Sequence, residues 1–120
     1  MKDDGEGLPL CGPSARMLGV RLVRDLRISA RGIVQPRAGG MSVAVGSPRN
    51  LPRHRRPPAQ GGIGPDPVWR IEVDDLPDAL VFRADPECPT VHGLIEPSRP
   101  MLLGEYQEAL AVTRSSWSRV

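Results

Sequence analysis

Residues 92 to 101 read His92-Gly93-Leu94-Ile95-Glu96-Pro97-Ser98-Arg99-Pro100-Met101. A short apolar run leads into one carboxylate, with a histidine before it and an arginine after. Prolines fix the exit of the chain. A buried strand that closes on a carboxylate is either a strand end with a solvated Glu96 or a chemical site. Three other stretches could serve such a site. Arg21 lies on an early alternating segment, Ser42 follows the pair Gly39-Gly40, and Pro52 to Pro67 carries Arg53, His54, Arg55 and Arg56. Each has a plain alternative. His92 reads equally as a structural histidine, Ser42 as a locally bonded strand hydroxyl, Arg21 as a salt-bridging surface residue, and the loop as a solvated tip.

Several chemistries lack their motifs. The chain has no GxGxxG, no GxxxxGK[ST] and no GxSxG, which removes support for dinucleotide-fold, P-loop and hydrolase-elbow readings. No Ser/His/Asp set stands out. Cys11 and Cys88 are isolated, with no CxxC or HxxxH spacing, so the expectation is two reduced thiols, no disulfide and no metal. No apolar run approaches the ~18 residues of a membrane span. The first fifteen residues carry three acids and no apolar core, so no signal peptide is expected and a cytoplasmic location is.

Charge is distributed unevenly. Between Ala15 and Arg56 stand ten arginines and one acid, whereas Pro57 to Pro100 holds three arginines and eight acids. Such a division arises from internal complementarity or from a basic half that meets phosphates, whose oxygens suit guanidinium forks. Nucleic-acid binding by the loop lacks stacking aromatics nearby.

The elements that must position these residues are short. The 120 residues, with 14 prolines and 13 glycines, imply one domain with long stiff loops. Met1 to Ala15 reads as a disordered tail and residues 16–120 as a single domain. Alternation predicts strands at 19–23, 25–29, 32–34, 41–45, 68–73, 80–82 and 92–96. The 80–82 strand is expected to form a hairpin with 68–73. Pro52 to Pro67 has no periodicity and reads as a loop. Leu103, Tyr106, Leu110, Thr113 and Trp117 recur at helical spacing, which predicts a C-terminal helix packed on the core, with Pro100 just before it. The fold class is therefore α+β or mostly β.

Two of these stretches carry a resemblance. Gly32-Ile33-Val34-Gln35-Pro36-Arg37-Ala38-Gly39-Gly40-Met41-Ser42-Val43 and His92 to Met101, with the Tyr106 to Trp117 helix after them, resemble the ADP-ribosyltransferase-like toxins typified by the type VI secretion exported effector 2. Asp74 to Asp85 looks like that family's Asp-rich turn into a strand. Order and approximate spacing agree from about Asp25 to Trp117. The Met41-Ser42-Val43 strand keeps one hydroxyl where many ADP-ribosyltransferases have Ser-Thr-Ser, and Glu96-Pro97 replaces their Glu-x-Glu.

The resemblance implies a split β-sheet whose cleft holds NAD, with no metal. The nicotinamide–ribose bond would break through an oxocarbenium-like state of the kind carboxylates stabilise in glycoside hydrolysis. It implies Glu96 as the catalytic carboxylate and His92 as a ligand contact. Arg21 (or Arg24) would bind the ribose or phosphate, Ser42 would line the nicotinamide pocket, and Gly39 and Gly40 would let backbone approach the ligand. The expected activity is transfer of ADP-ribose to a macromolecular target, or NAD hydrolysis, by a toxin neutralised by an antitoxin or immunity protein. The alternative from another class is a non-catalytic module presenting the basic, proline-rich loop to a protein or nucleic acid.

Overall fold

One face of the C-terminal helix is buried where its sequence stripe says it should be. In the computed structural model of the chain, helix α1 spans Leu103–Val112 and runs into a 3-10 turn, Thr113–Ser116. Every residue except Val23 is described. Tyr106 and Leu110 are inaccessible to solvent, and Ala109, Thr113 and Trp117 are buried beside them. Thr113 closes the helix with its own hydroxyl. Its Oγ1 donates to the Leu110 carbonyl at 2.7 Å and accepts the Trp117 indole N–H at 2.9 Å.

The helix packs among short antiparallel strands, which makes the fold α+β with several small sheets. Strands β2 (Met41–Ala44), β5 (His92–Pro97) and β4 (Leu80–Ala84) form the central sheet in the order β2-β5-β4. Strand β1 (Ile33–Val34) pairs with β6 (Met101–Leu102), which stands between Pro100 and the helix. Strand β3 (Trp69–Arg70) pairs with β7 (Ser118–Arg119).

Register assigns the faces of the central sheet. Met41 lies opposite Ile95, and Phe82 lies opposite Ile95 on the other side. Because side chains alternate along a strand, Met41, Ile95, Leu80 and Pro97 share the core face. Ser42, His92, Leu94, Glu96 and Arg83 share the opposite face. The two faces differ in burial except at Glu96: Met41, Leu80 and Ile95 belong to the core, Ser42 is exposed and His92 and Leu94 are half-buried, whereas Glu96 is buried on the second face.

Helix and sheet are joined through one hydroxyl. Tyr106 Oη donates to the Ile95 carbonyl at 2.6 Å and accepts the Met41 N–H at 3.1 Å. The hydroxyl thus stands between β2 and β5 at the end of their ladder. A side chain at Gly40 would bring a Cβ to 2.5 Å from the Ile95 carbonyl oxygen and 3.2 Å from Tyr106 Oη, so glycine is what lets the chain enter β2 there.

Five expectations change. The 19–23 and 25–29 segments are not strands among the described residues, and Val23 lies outside them. Leu22 and Leu26 make only isolated bridges, because a turn joins the two segments: Asp25 N–H bonds the Arg21 carbonyl while its carboxylate takes the Arg21 N–H. The hairpin between 68–73 and 80–82 does not form either. A 3-10 turn at Val73–Asp75 redirects the chain, and β4 pairs with β5 over five positions instead.

The proline-rich loop is not an open extended segment. It folds into 3-10 turns at Arg53–Arg55 and Pro58–Gln60 around a buried Arg56, whose guanidinium donates to the carbonyls of Leu51, Gln60 and Gly61. Residues 1–15, read as a loose tail, lie against the body. Met1 O accepts the Trp69 indole N–H at 2.7 Å, Leu18 N–H bonds the Leu10 carbonyl, and Asp3 and Asp4 approach Arg119 and Arg114. Trp69, Arg114 and Arg119 are distant in sequence from the first residues, so local composition does not reveal these contacts. No helix among the described residues is long and apolar enough to cross a membrane.

Replacing Tyr106 by Phe removes only the hydroxyl and strands a buried donor and a buried acceptor. The expected cost is about 1–3 kcal/mol, read as a lower urea midpoint at unchanged slope.

Candidate functional site

The turn between β4 and β5 places three polar side chains beside the open face of the sheet. Asp85 follows β4 and begins the turn. Its Oδ1 accepts the Glu87 N–H at 2.9 Å, an Asx turn that fixes the carboxylate. The turn is closed from within by Cys88 N–H on the Asp85 carbonyl and by Val91 and His92 N–H on the Cys88 carbonyl. Asp85 N–H bonds the His92 carbonyl, so the two ends of the turn meet.

That closure forms a chain of hydrogen bonds. His92 Nδ1 lies 2.9 Å from Asp85 Oδ2, and His92 Nε2 lies 2.9 Å from Ser42 Oγ. A carboxylate only accepts, so Nδ1 carries the proton. In the neutral ring Nε2 is then an acceptor, and the Ser42 hydroxyl donates to it. The order acid, imidazole, hydroxyl orients a histidine and polarises a hydroxyl. Ser42 stands on the exposed side of β2, and His92 is about one-third exposed, so the pair is reachable.

The electrostatics follow from these contacts. The Glu87 N–H, then the His92 ring and the Cys88 thiol, stabilise ionised Asp85 and hold its carboxyl below the usual range. The Cys88 thiol, 3.4 Å from Asp85 Oδ2, is pushed up by burial first and by that neighbouring carboxylate second. A cavity of about 200 Å³ opens beside the chain, lined by Arg83, Ala84, Asp85, Pro86, His92 and Leu94. It is smaller than the ~300–1,000 Å³ of a site that encloses a drug-sized ligand.

The sequence-derived residues are thus partly assembled. Ser42 and His92 are hydrogen-bonded. Glu96 shares their sheet face but is buried, and its Oε1 accepts Arg83 Nε at 2.6 Å. A carboxylate with a side chain 2% exposed and a guanidinium on it meets Arg83 rather than a ligand. Arg21 stands apart from the group, with Asp25 as its partner at 3.0 Å. At Gly39 and Gly40 the space a side chain would fill is taken by the chain's own backbone, Asp25–Leu26 and Ile95 respectively, and not left to a ligand.

Two residues were missed. Asp85 and Arg83 had no motif to mark them. The available signal was an acidic residue opening a Pro-Glu-Cys-Pro turn that ends in His92. Arg83 lies opposite Leu94 in the register and so one step diagonally from both His92 and Glu96. The absence of a Ser/His/Asp set read from spacing is corrected by this geometry, since turn closure and not spacing brings the three together.

Comparison with known proteins found no matching family model, no matching curated protein and no matching solved structure.

The Arg83–Glu96 pair is asymmetric, because Arg83 reaches solvent (side chain 37% exposed) and Glu96 does not. Arg83→Ala abandons a buried carboxylate and should cost about 3 kcal/mol. Glu96→Gln leaves a guanidinium that can turn to water and should cost about 1 kcal/mol. Chemical denaturation of both variants checks the order.

Proposed function

We propose that the chain is an NAD-consuming toxin domain of the ADP-ribosyltransferase-like kind, transferring ADP-ribose to a macromolecular target or hydrolysing NAD in the cytoplasm. The motifs around Ser42 and His92 support this reading. The observation that carries it is the Asp85–His92–Ser42 chain on the open face of the central sheet. Cleavage of the nicotinamide–ribose bond leaves the electron pair on nicotinamide and positive charge on the ribose. Ionised Asp85, acting through His92, supplies the negative field such a state needs, the part first given to Glu96. His92 Nε2 takes the proton of the attacking water or target group by way of the Ser42 hydroxyl, which donates to that nitrogen while accepting from the attacking group. Arg83 on the cavity wall offers a guanidinium to the pyrophosphate. The cavity matches a nicotinamide or ribose better than a whole dinucleotide, so the rest of NAD would lie over the sheet face.

A second reading has its own observation. The same hydrogen-bond order, ending on an exposed serine, is that of an acyl-transfer nucleophile. Ester hydrolysis by purified protein separates the two.

The test is induction of the chain in bacteria with cellular NAD assayed, beside a Ser42→Ala, His92→Ala variant checked for folding. Growth arrest with NAD loss, reduced about a hundredfold or more in the variant, is the expected result. Harmless expression of folded protein with unchanged NAD overturns the proposal. Ester cleavage in that case would support the second reading. An antitoxin or immunity protein would be sought only after the first outcome.

A further inference from the structure

The turn that orients His92 holds a third donor that the proposed chemistry leaves idle. Cys88 Sγ lies 3.4 Å from Asp85 Oδ2, and His92 Nδ1 lies 2.9 Å from the same oxygen. The three ligand atoms fall within 4.8 Å of one another. Around tetrahedral zinc, with bonds of roughly 2.0–2.3 Å, the sulfur–oxygen and nitrogen–oxygen edges are about 3.6 Å and about 3.4 Å. Seating an ion therefore requires these pairs to part by about 0.5 Å or less. The backbone already fixes the three positions, through Cys88 N–H on the Asp85 carbonyl and His92 N–H on the Cys88 carbonyl. Pro86 and Pro89 stiffen the segment on both sides of the cysteine.

We infer that Asp85, Cys88 and His92 form a binding site for a borderline-soft divalent cation of the zinc type, with its fourth position open to the neighbouring cavity. Mixed sulfur, nitrogen and oxygen donors select such ions over magnesium or calcium, which take oxygen alone. An open fourth position is the pattern of sites that keep water or substrate on the metal. Asp85 and Glu87 crowd negative charge around the thiol, and a cation relieves it. Ser42 completes the arrangement. With Nδ1 on the ion, Nε2 carries the ring proton and donates to Ser42 Oγ, reversing the bond at unchanged length and fixing the ring.

This inference stands apart from NAD chemistry, and it has a consequence for it. A metal on Nδ1 leaves His92 without a free nitrogen to accept a proton. Cation binding and proton transfer at His92 are then alternatives, and the ion would restrain the proposed activity.

The probe is cobalt(II) added to the purified, reduced full-length chain. The expected result is one ion per chain with a thiolate-to-cobalt charge-transfer band, displaced by zinc. The band should persist in Cys11→Ser and vanish in Cys88→Ser, and Asp85→Asn should weaken binding by about tenfold or more. As the chain has two cysteines, persistence in Cys11→Ser assigns Cys88 even where Cys88→Ser does not fold. No band in the wild type, a band lost with Cys11, or a band surviving without Cys88 overturns the inference. None of these readouts depends on whether the chain consumes NAD.

Discussion

The Tyr106 hydroxyl is the tie on which the rest of the molecule hangs. It bridges the Met41 N–H and the Ile95 carbonyl at the end of the β2–β5 ladder, and it brings helix α1 with it. Being fully buried, it is kept from ionising by desolvation, which raises its pKa strongly. A hydroxyl in that position both accepts and donates, so it satisfies two buried backbone groups that no apolar side chain could satisfy. Phase along β2 and β5 then follows. With Met41 and Ile95 locked to the core, alternation leaves Ser42 and His92 no choice but the open face. The chemistry of that face depends on a hydrogen bond made on the other.

The same logic explains why Glu96 and His92, four residues apart on one strand and one face, have different fates. His92 sits at the beginning of β5, beside the turn that carries Asp85, where the sheet is open. Glu96 sits near the other end, close to where the chain returns through β6 into α1, and is enclosed. A carboxylate enclosed there requires a counter-charge, and Arg83, one diagonal step away on β4, supplies it. The residue that looked most chemical in the sequence is thereby committed to holding β4 on β5. The carboxylate that remains available is Asp85, in a turn that reads as mere punctuation.

What the sequence made legible divides along the range of the interactions. Helix α1, β2 and β5 are written in local periodicity, and so is the burial of Tyr106, Leu110 and Trp117. Pairing is not local. Trp69 and Arg70 alternate with their neighbours as a strand should, yet the strand is only two residues long, because its partner is the far C-terminal pair Ser118–Arg119. Nothing in the alternation of residues 68–73 names that partner. The 52–67 loop looked structureless because its organising element is one arginine bonded to three carbonyls, a pattern without periodicity. Of the site, Ser42 and His92 were legible as residue types on predicted strands. Asp85 was not, since its part depends on turn closure.

Charge division between the halves of the chain is resolved only in part by folding. Arg16 reaches Asp66 in a close two-pronged pair, and the Asp66 carboxyl is held below its usual range chiefly by those hydrogen bonds. Arg21 pairs with Asp25 within its own half. The acids of the first residues turn instead to Arg114 and Arg119 near the C-terminus. Among the described residues, the other arginines between 24 and 56 meet no carboxylate within ion-pair distance. Internal complementarity therefore accounts for a minority of the basic half, and the surplus faces solvent or, at Arg55 and Arg56, backbone carbonyls. Exposed charge of one sign attracts anions over about a Debye length, roughly 8 Å at physiological salt.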